Sequence, residues 1–263
     1  MKPKRDYVGI ANKYVKDVLT GKVDACEYVK SACQRQVDDL ARWSKKTSPF
    51  RFDKEKAASV CRFVELLPHT KGPLAGNLIV LEPWQIFILT TIFGWVTPAN
   101  TRRYRRVYIE VPRGNGKSAL SSAVALYMLA ADGEGGAEVY SFATTRDQAK
   151  IVFGDGKQMA KKSPWIRESL KIEVQAHVVT QLATGSKFEA KSAEGSTLDG
   201  LNTHLGIIDE CHAMKTRDTF DVVETSIGKR SQSLLWVITT AGSNRAGICY
   251  EVRGFVLKVL NGS

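Results

Sequence analysis

The stretch Val107 to Ala130, "VYIEVPRGNGKSALSSAVALYMLA", decides the fold of this chain. It begins as a short apolar strand, continues through a loop with two glycines, and opens a long apolar helix at Lys117 and Ser118. A strand, a glycine-containing loop and a helix that starts with Lys-Ser are the context of a phosphate-binding P-loop. The P-loop signature has Gly where this chain has Val111, so the stretch is either an altered nucleotide site or a chance Gly-Lys-Ser before a helix.

Downstream of this stretch, apolar segments of strand length alternate with segments of helix length. Strands are predicted at 107–111, 138–143, 205–208 and 234–239, and helices at about 117–131, 145–162 and 217–227. Each strand is apolar enough to be covered on both faces, and the alternation favours a parallel sheet. Residues 171–195 alternate with period two around a Thr-Gly-Ser turn, which predicts a hairpin at the sheet edge. The predicted class is α/β, with a mainly parallel sheet flanked by helices.

The residues before this region are predicted to be mainly helical. In "DACEYVKSACQRQVDDLARW" one helical stripe carries the apolar side chains, which predicts its buried face. The stripe consists of Cys26, Val29, Cys33, Val37 and Leu40.

Two further helices have recognisable starts. Asp53 is suited to cap one of them, and Pro83 suits the first turn of an apolar helix in "LEPWQIFILTTIFGWV". We expect two domains, a helical N-terminal subdomain at residues 1–75 and a P-loop core at residues 76–263.

The bulk composition is that of an ordinary globular protein apart from its formal net charge of +11. This excess of Lys and Arg favours a polyanionic partner such as nucleic acid, although a protein can also simply be basic. No run of about 18 apolar residues is present, so a membrane span is not predicted. The five cysteines are scattered and form no C-x-x-C pair, which indicates free thiols in a reducing cytoplasm.

The loop residues match the chemistry of phosphate binding. Gly114 and Gly116 allow a tight backbone turn whose N–H groups converge, with a helix N-terminus, on a phosphate. The Lys117 ammonium can reach the β- and γ-phosphates of a nucleotide, and the Ser118 hydroxyl can ligate Mg²⁺.

A second acidic motif lies downstream in "THLGIIDECHAM". Leu205 to Ile208 form an apolar strand that ends in Asp209 and Glu210. In P-loop ATPases an acid at such a strand end holds Mg²⁺, and a neighbouring carboxylate can activate water. Asp and Glu also favour helix starts, so capping is the plainer interpretation of either residue alone. Two acids directly after a buried strand, downstream of Gly-Lys-Ser, together predict a nucleoside triphosphatase.

Two weaker signals agree with this prediction. "LLWVITTAGSN" is a buried strand that ends in small hydroxyl residues from Thr239, which can sense a phosphate or form an ordinary strand-end turn. In "LEPWQ", the Gln85 amide can donate and accept at once, which matches the polar edge of adenine. An exposed Gln without a role is the alternative.

Taken in order, the motifs resemble those of the ATPase domain of a tailed-bacteriophage terminase large subunit, the motor that packages DNA into capsids. The resemblance spans about Leu81 to Ser243 and is carried by "LEPWQ", "VPRGNGKS", "SFATTRDQAK", "GSTLDGLN", "IIDECH" and "ITTAGS". It implies a RecA/ASCE-like P-loop NTPase fold with a helical N-terminal lid. The P-loop of this family commonly lacks the first Gly and carries an Arg at the position of Arg113, so Val111 fits the family.

The resemblance also implies roles for individual residues. Glu210, Arg113 and Lys117 would be catalytic, with Glu210 activating water and Arg113 near the γ-phosphate. Ser118 and Asp209 would bind Mg²⁺. The ATP-binding set would comprise Gln85, which reads adenine, and the loop residues Arg113, Gly114, Asn115, Gly116, Lys117, Ser118 and Ala119. The motif that couples hydrolysis to movement would comprise Thr239, Thr240, Ala241 and Gly242.

The partners that the resemblance implies are double-stranded DNA, contacted without regard to sequence, the small terminase subunit and the portal protein. A homo-oligomeric ring, weak in isolation, is expected in the host cytoplasm, transiently at the procapsid portal vertex, with no membrane association. Complete large subunits continue into a nuclease domain, and its cluster of metal-binding acids has no counterpart after Gly242, so DNA cleavage is not expected from this chain.

Two alternatives remain open from the sequence. "DECH" and a TAT-like motif recur in superfamily-two helicases, but these need a second RecA-like domain. A nucleic-acid-binding module with a decayed ATP site is the other, and the intact set of Lys117, Ser118, Asp209 and Glu210 argues against it.

Several charged residues have no assigned role. Arg146, Arg230 and Arg245 are candidates for an arginine that acts on a neighbouring subunit. The runs "TRRYRRVY" and "KKSPWIRESLK" are either DNA-contacting patches or solvated faces, and Arg102 to Arg106 could also line a subunit interface. No site is predicted at His204 or His212, and Cys211 is expected to be structural.

Overall fold

The computed structural model describes residues 5–45, 47–143, 146–192, 200–214, 216–242 and 244–262. Parts of "SFATTRDQAK" and "GSTLDGLN", and Ser243 of "ITTAGS", therefore lie outside the described residues. The chain divides into two compact units, one formed by Met1–Glu65, Val80–Tyr104 and Gly254–Ser263, the other by Leu66–Ile79 and Arg105–Arg253. The expected boundary after residue 75 differs from this division, because residues 80–104 group with the N-terminal helices.

The first unit is mainly helical, as predicted. Its elements are α1 (Tyr7–Leu19), α2 (Glu27–Arg42), β1 (Arg51–Phe52), α3 (Lys54–Val64), α4 (Pro83–Gly94) and β2 (Trp95–Val96). The Asp53 carboxylate caps α3 by accepting the N–H groups of Glu55 and Lys56, which confirms that prediction. Pro83 occupies the first turn of α4, also as predicted.

Helix α4 explains why residues 80–104 belong to this unit. Its buried side chains cover most of its circumference, and it packs against both α1 and α3. At its C-terminal end Gly94 lies so close to Phe52 that an added Cβ atom would come within 2.6 Å of the ring. An apolar helix of this kind is stable where neighbouring helices cover it.

The predicted buried stripe of α2 is wrong in part. Val37 and Leu40 are 41% and 36% exposed, whereas Gln36 and Asp39 are buried beside Cys33. The reason is that both polar side chains have partners in this unit. The Gln36 amide oxygen accepts the Trp95 indole N–H at 2.8 Å, and a guanidinium group approaches the Asp39 carboxylate. Paired polar groups can be buried at little net cost.

The guanidinium is that of Arg103, which belongs to the predicted basic patch "TRRYRRVY". Its Nη1 donates to Asp39 Oδ2 at 2.7 Å, and its plane lies over the rings of Phe50 and Trp95. Arg102 is 4% exposed and lies over the Phe93 ring. These two arginines therefore stabilise the first unit, and the interpretation of this part of the run as an exposed patch is wrong.

We expect Arg103→Lys to lower the free energy of unfolding by about 1–2 kcal/mol, because a lysine keeps the charge but loses the planar stacking on the aromatic rings. Urea denaturation would measure the difference. Arg42→Lys is the matched control, since Arg42 lies over a single ring, that of Trp43, on an exposed part of α2. An equal loss in both variants would contradict the structural role of Arg103.

The second unit contains the alternating region. Its strands are β3 (Arg106–Glu110), β4 (Glu138–Ala143), β5 (Ile172–Val174), β6 (Val178–Gln181), β7 (Ser186–Ser192), β8 (Thr203–Asp209) and β9 (Leu234–Thr239). Its helices are α5 (Lys117–Ala130), α6 (Arg146–Lys161), α7 (Pro164–Ser169) and α8 (Asp218–Ser226), and α9 (Ile248–Leu260) begins in it. The four predicted strands and three predicted helices are confirmed to within about two residues.

Within the described residues, these seven strands form one sheet in the order β3-β9-β8-β4-β7-β6-β5. The pairs from β3 to β7 are parallel, whereas β6 is antiparallel to both β7 and β5. The predicted edge hairpin is thus confirmed as β6 and β7, with β5 added outside it. Strand β9 lies between β3 and β8, so the strand that precedes the glycine loop and the strand that ends in acids are not neighbours.

Helices cover both faces of this sheet. Helix α5 packs on one face, where the Trp236 indole N–H of β9 donates to Ser121 Oγ at 3.1 Å. The neighbouring β9 residues Leu235 and Val237 face the other way, into a cluster with Phe220 and Val223 of α8. Alternate residues of one strand thus enter two apolar layers, which confirms the predicted α/β class. In the part of the chain that the structure describes, no helix is both long and apolar enough to cross a membrane.

Candidate functional site

The glycine loop forms a tight turn between β3 and α5. Gly114 and Gly116 have φ angles of +83° and +68°, values that favour glycine because it lacks a Cβ atom. The Asn115 amide nitrogen donates to the carbonyl oxygens of Pro112 at 3.1 Å and Arg113 at 3.4 Å, which fixes the turn. Among the described residues, the backbone N–H groups of 114–119 have no protein acceptor. These donors at a helix N-terminus are the arrangement that binds an anion.

Lys117 and Ser118 connect this loop to the end of β8. Lys117 is 8% exposed, and its Nζ lies 3.5 Å from the Pro112 oxygen and 3.9 Å from Glu210 Oε1. The Ser118 hydroxyl donates to Asp209 Oδ2 at 3.1 Å. Parallel strands place their carboxyl ends at one edge of the sheet, which is why residues about 90 positions apart meet here. The two motifs singled out in the sequence therefore form one cluster.

The two acids at the end of β8 differ in environment. Asp209 is 7% exposed, and burial together with the neighbouring Glu210 carboxylate raises the pKa of its carboxyl group, against the opposing effect of the Ser118 hydroxyl. Glu210 has a left-handed backbone with φ of +53°, which turns its side chain out of the strand direction. A non-glycine residue in this conformation carries strain that functional sites often hold.

The end of β9 supplies hydroxyl groups to the same cluster. Thr239 and Thr240 are both buried, and the Thr240 hydroxyl lies 3.5 Å from Glu210 Oε2. Thr239 pairs in register with Glu110, the last residue before the loop segment, and Asp209 pairs with Ile238. Ala241 and Gly242 follow as exposed loop residues. The predicted coupling residues thus begin between the phosphate loop and the acidic pair.

The structure gives the positions of two other predicted ATP-binding residues. Arg113 is exposed at the tip of the loop, and Ala119 lies in the first turn of α5.

Gln85 belongs to the first unit, at the third position of α4. Its amide oxygen accepts the Glu82 N–H at 3.0 Å, and the Glu82 side chain accepts in return, which forms a capping box. The structure therefore gives Gln85 a helix-capping role that the sequence analysis did not assign.

The three arginines that were candidates for acting on a neighbouring subunit differ in their contacts and exposure. Arg230 lies near the amino ends of β4 and β8, on the far side of the sheet from the acidic pair. There it binds the Glu134 carboxylate and the carbonyl oxygens of Gly136 and Asn202. With its side chain 10% exposed, it is occupied in holding the loop before β4, which contradicts its candidacy. Arg245 is exposed, in the loop that follows β9. The side chain of Arg146 lies outside the described part of the structure.

Arg105 is also structural, since it donates to the carbonyl oxygens of Ile227 and Arg230, each at 2.7 Å. Arg106, the first residue of β3, is exposed and forms a surface ion pair with Glu224 at 3.0 Å. The basic residues of the run "KKSPWIRESLK", at the end of α6, in α7 and in the loop after it, are all exposed, namely Lys161, Lys162, Arg167 and Lys171.

His212 is the residue of this cluster that the sequence analysis missed. Its Nδ1 lies 3.1 Å from Glu210 Oε2 and 2.9 Å from Thr239 Oγ1. The sequence signal that could have identified this residue is its position two residues after Glu210, in the turn that follows the strand. Cys211 between them is buried, and its hydrogen bond with Cys249 and its burial raise the pKa of its thiol, which agrees with a structural residue.

Replacement of the buried carboxylate by an amide is expected to stabilise the fold. A carboxyl group with a raised pKa contributes stability below its unfolded-state pKa and loses it as the pH rises through the folded-state value, so ionised Asp209 destabilises the protein at neutral pH. Asp209→Asn can keep its oxygen on the Glu210 backbone N–H and donate its amide N–H to Ser118 Oγ, because the serine hydroxyl can rotate to accept. In the nucleotide-free protein with chelator we expect a Tm higher by about 2–4 °C at pH 7, equivalent to about 1 kcal/mol.

The pH dependence provides the control for this variant. The difference in Tm between Asp209→Asn and the unaltered chain should shrink as the pH falls below the raised folded-state pKa and vanish below the unfolded-state pKa, where the carboxyl group is neutral in the folded and the unfolded protein. A lower Tm for the variant at pH 7 would contradict the prediction.

The comparisons with known proteins agree with this geometry. The family model described as "Terminase large subunit, ATPase domain" matches residues 83–258, more than half of the chain. The large terminase subunit of Enterobacteria phage HK97 is 28% identical over 181 residues, which cover 68% of this chain and 35% of that protein. Protein YmfN of Escherichia coli (strain K12) is 43% identical over 65 residues, or 25% of this chain and 14% of that one.

Comparison with a solved structure indicates the same family. The crystal structure of the HK97 bacteriophage large terminase superposes with a TM-score of 0.66 at 26% identity, covering 78% of this chain and 42% of that one. In the two comparisons the chain thus covers 35% and 42% of the length of the HK97 protein.

Proposed function

Because the chain belongs to the family of terminase large-subunit ATPase domains, we propose that it hydrolyses ATP and that this hydrolysis drives double-stranded DNA into a viral procapsid. One observation carries the proposal. The residues that open α5 lie against the acids that end β8, with Lys117 Nζ 3.9 Å from Glu210 Oε1 and Ser118 Oγ 3.1 Å from Asp209 Oδ2. Family membership does not favour the helicase-like alternative.

The loop would bind the β- and γ-phosphates. The N–H groups of residues 114–119 have no protein acceptor among the described residues and would donate to phosphate oxygens. Lys117 is held beneath the loop by the Pro112 carbonyl oxygen, so its ammonium group needs little reorganisation to oppose the phosphate charge. Arg113, exposed at the tip of the loop, would approach the γ-phosphate from the outside.

The site fits a magnesium ion. Ser118 Oγ and Asp209 Oδ2 are adjacent oxygen atoms of the type that Mg²⁺ prefers as ligands, and the negative charge of Glu210 beside Asp209 favours a nearby cation. Bound there with the phosphates, the ion would neutralise charge that develops on the β- and γ-oxygens. The protein would contribute the two ligands and their fixed spacing.

Glu210 would orient the attacking water. Its backbone conformation carries the carboxylate out of the strand, and Oε1 points towards the Lys117 ammonium, which would lie beside the γ-phosphate. A carboxylate that accepts a water proton needs this proximity to the phosphate. The Thr239–Gly242 segment would couple hydrolysis to movement, since it begins between the loop and Glu210.

Gln85 would read the adenine base in this proposal. Its amide oxygen has two lone pairs, of which the Glu82 N–H takes one, and its NH₂ group is a separate donor. An amide that is already fixed by a capping box would lose little side-chain entropy on binding a base.

DNA would be contacted through phosphates without sequence preference, as a packaging motor requires. The exposed basic residues of α6, α7 and their following loops are the surface we propose for this contact. A homo-oligomeric ring, the small terminase subunit and the portal protein complete the proposal, with action in the host cytoplasm at the procapsid portal vertex. Arg245, exposed after β9, is the described candidate for an arginine that acts on a neighbouring subunit.

The test is phosphate release from ATP by the purified chain across a range of protein concentrations. We expect turnover that requires Mg²⁺ and stops on addition of a chelator. Turnover per subunit that rises with protein concentration would favour a ring in which a neighbour completes the site. A chain that fails to bind ATP at any concentration would contradict the proposed function.

A further inference from the structure

His212 joins the acidic end of β8 to the hydroxyl end of β9. Its Nδ1 lies within 3.1 Å of Glu210 Oε2 and 2.9 Å of Thr239 Oγ1, and 3.4 Å from Thr240 Oγ1. Its backbone N–H also donates to Thr239 Oγ1, at 3.2 Å. One residue therefore contacts both the carboxylate proposed to orient water and the first two residues of the proposed coupling segment.

The atoms around Nδ1 indicate which imidazole nitrogen carries a hydrogen. Thr239 Oγ1 accepts the His212 backbone N–H at 3.2 Å, and its own hydroxyl hydrogen can be donated to the Thr240 carbonyl oxygen at 3.0 Å, which leaves the oxygen able to accept from Nδ1 as well. The Glu210 carboxylate, when ionised, is an acceptor only. A hydrogen on Nδ1 satisfies both Glu210 Oε2 at 3.1 Å and Thr239 Oγ1 at 2.9 Å, so we assign Nδ1 as the donor. With Nδ1 unprotonated, the contact with the ionised carboxylate would bring two acceptors together.

The backbone around His212 restricts its movement. Glu210 is left-handed with φ of +53°, and Cys211–Ala213 form a short 3₁₀ turn directly after it. On the other side, Gly242 approaches so closely that an added Cβ atom would lie 2.7 Å from the His212 Cβ. The imidazole is thus enclosed by the two strand ends, and a change in the path of residues 239–242 would displace it.

We propose that His212 is a positioning residue for hydrolysis: its Nδ1–H holds the Glu210 carboxylate in the orientation that activates water and ties that orientation to the end of β9. The inference rests on the proposed function, because it concerns the same site. Movement of the 239–242 segment would then change the position of the Glu210 carboxylate. Movement of that carboxylate would in turn displace Thr239 and Thr240 through His212. His212 itself would touch no phosphate.

Three substitutions distinguish positioning from packing. His212→Asn places an amide nitrogen the same number of bonds from the backbone as Nδ1, His212→Gln places it one bond further, and His212→Leu removes the donor. We expect Leu and Gln to lower kcat by ~10- to 100-fold, as loss of a positioning contact does, and Asn to restore most of it. KM should change by less than about threefold in all three, because binding of ATP does not involve this contact.

Two further measurements exclude a merely structural role. In a Glu210→Gln background, His212→Leu should lower the residual rate by no more than about twofold, because the two residues act as a unit. The ¹⁵N shifts of the His212 imidazole in the folded chain should show a protonated Nδ1. A neutral ring protonated on Nε2 alone would overturn the proposal.

The outcomes also separate this inference from the proposed function. Turnover that is lost in Glu210→Gln but unchanged in all His212 variants would leave the ATPase intact and overturn the positioning role. Asn no better than Leu would do the same, and if the Leu variant fails to fold, the comparison of Asn with Gln decides. An unaltered chain without ATP turnover would overturn both.

Discussion

Glu210→Gln is expected to lower kcat for ATP hydrolysis by about 10²- to 10⁴-fold, the range for loss of a positioned general base. The amide keeps the size of the side chain but accepts protons poorly, so water would no longer be activated. Binding of ATP should persist, because the loop N–H groups and Lys117 are unchanged. Single-turnover phosphate release together with nucleotide-binding titration would separate the two effects.

The matched control for this variant is Glu168→Gln, which makes the same chemical change at an exposed position of α7. It should hydrolyse ATP at the rate of the unaltered chain. A Glu210→Gln protein that retains full turnover would show that another group activates the water, and the proposed role of Glu210 would then be wrong.

Lys117→Ala is expected to weaken ATP binding by about 10²-fold, equivalent to loss of a charged hydrogen bond of about 3 kcal/mol, and to abolish measurable hydrolysis. Lys117 is 8% exposed and is held between the Pro112 carbonyl oxygen and Glu210. Its removal would take away the cation that lies beside that carboxylate and that we propose to oppose the phosphate charge. Titration with a fluorescent ATP analogue would measure the binding loss.

Lys161→Ala is the control for charge, since Lys161 is exposed at the end of α6. It should bind ATP like the unaltered chain, and any effect should appear in DNA binding, as a smaller salt dependence. Equal losses of ATP affinity in the two variants would indicate a general effect of net charge and would contradict a specific role for Lys117.

Some parts of the fold were predictable because they depend on neighbouring residues. The edge hairpin follows from alternation around Thr184 and Gly185, and β6 and β7 pair antiparallel there. The starts of α3 and α4 follow from Asp53 and Pro83, whose preferences act within one helical turn. Charged residues were less predictable, since Arg103 and Arg105 have the same local sequence pattern as a solvated run but are enclosed by partners remote in the chain.

The buried face of α2 also could not be predicted correctly from the positions of its apolar residues. Its stripe predicts burial of Val37 and Leu40, yet Gln36 and Asp39 are buried instead. Helical periodicity indicates which residues share a face, but partners on other elements decide which face is covered. Trp95 and Arg103, which supply those partners, are more than 50 positions away.

By itself the sequence determined the glycine loop between a strand and a helix, the acidic strand end and the α/β class, because strand, loop and helix signals are local and parallel strands end at one edge. Only the tertiary structure decided the strand order, which places β9 between β3 and β8. That order depends on pairing between segments more than 100 residues apart, such as Arg106 with Leu235. It brings Thr239 and Thr240 against His212 and Glu210, a contact that spacing along the chain cannot indicate.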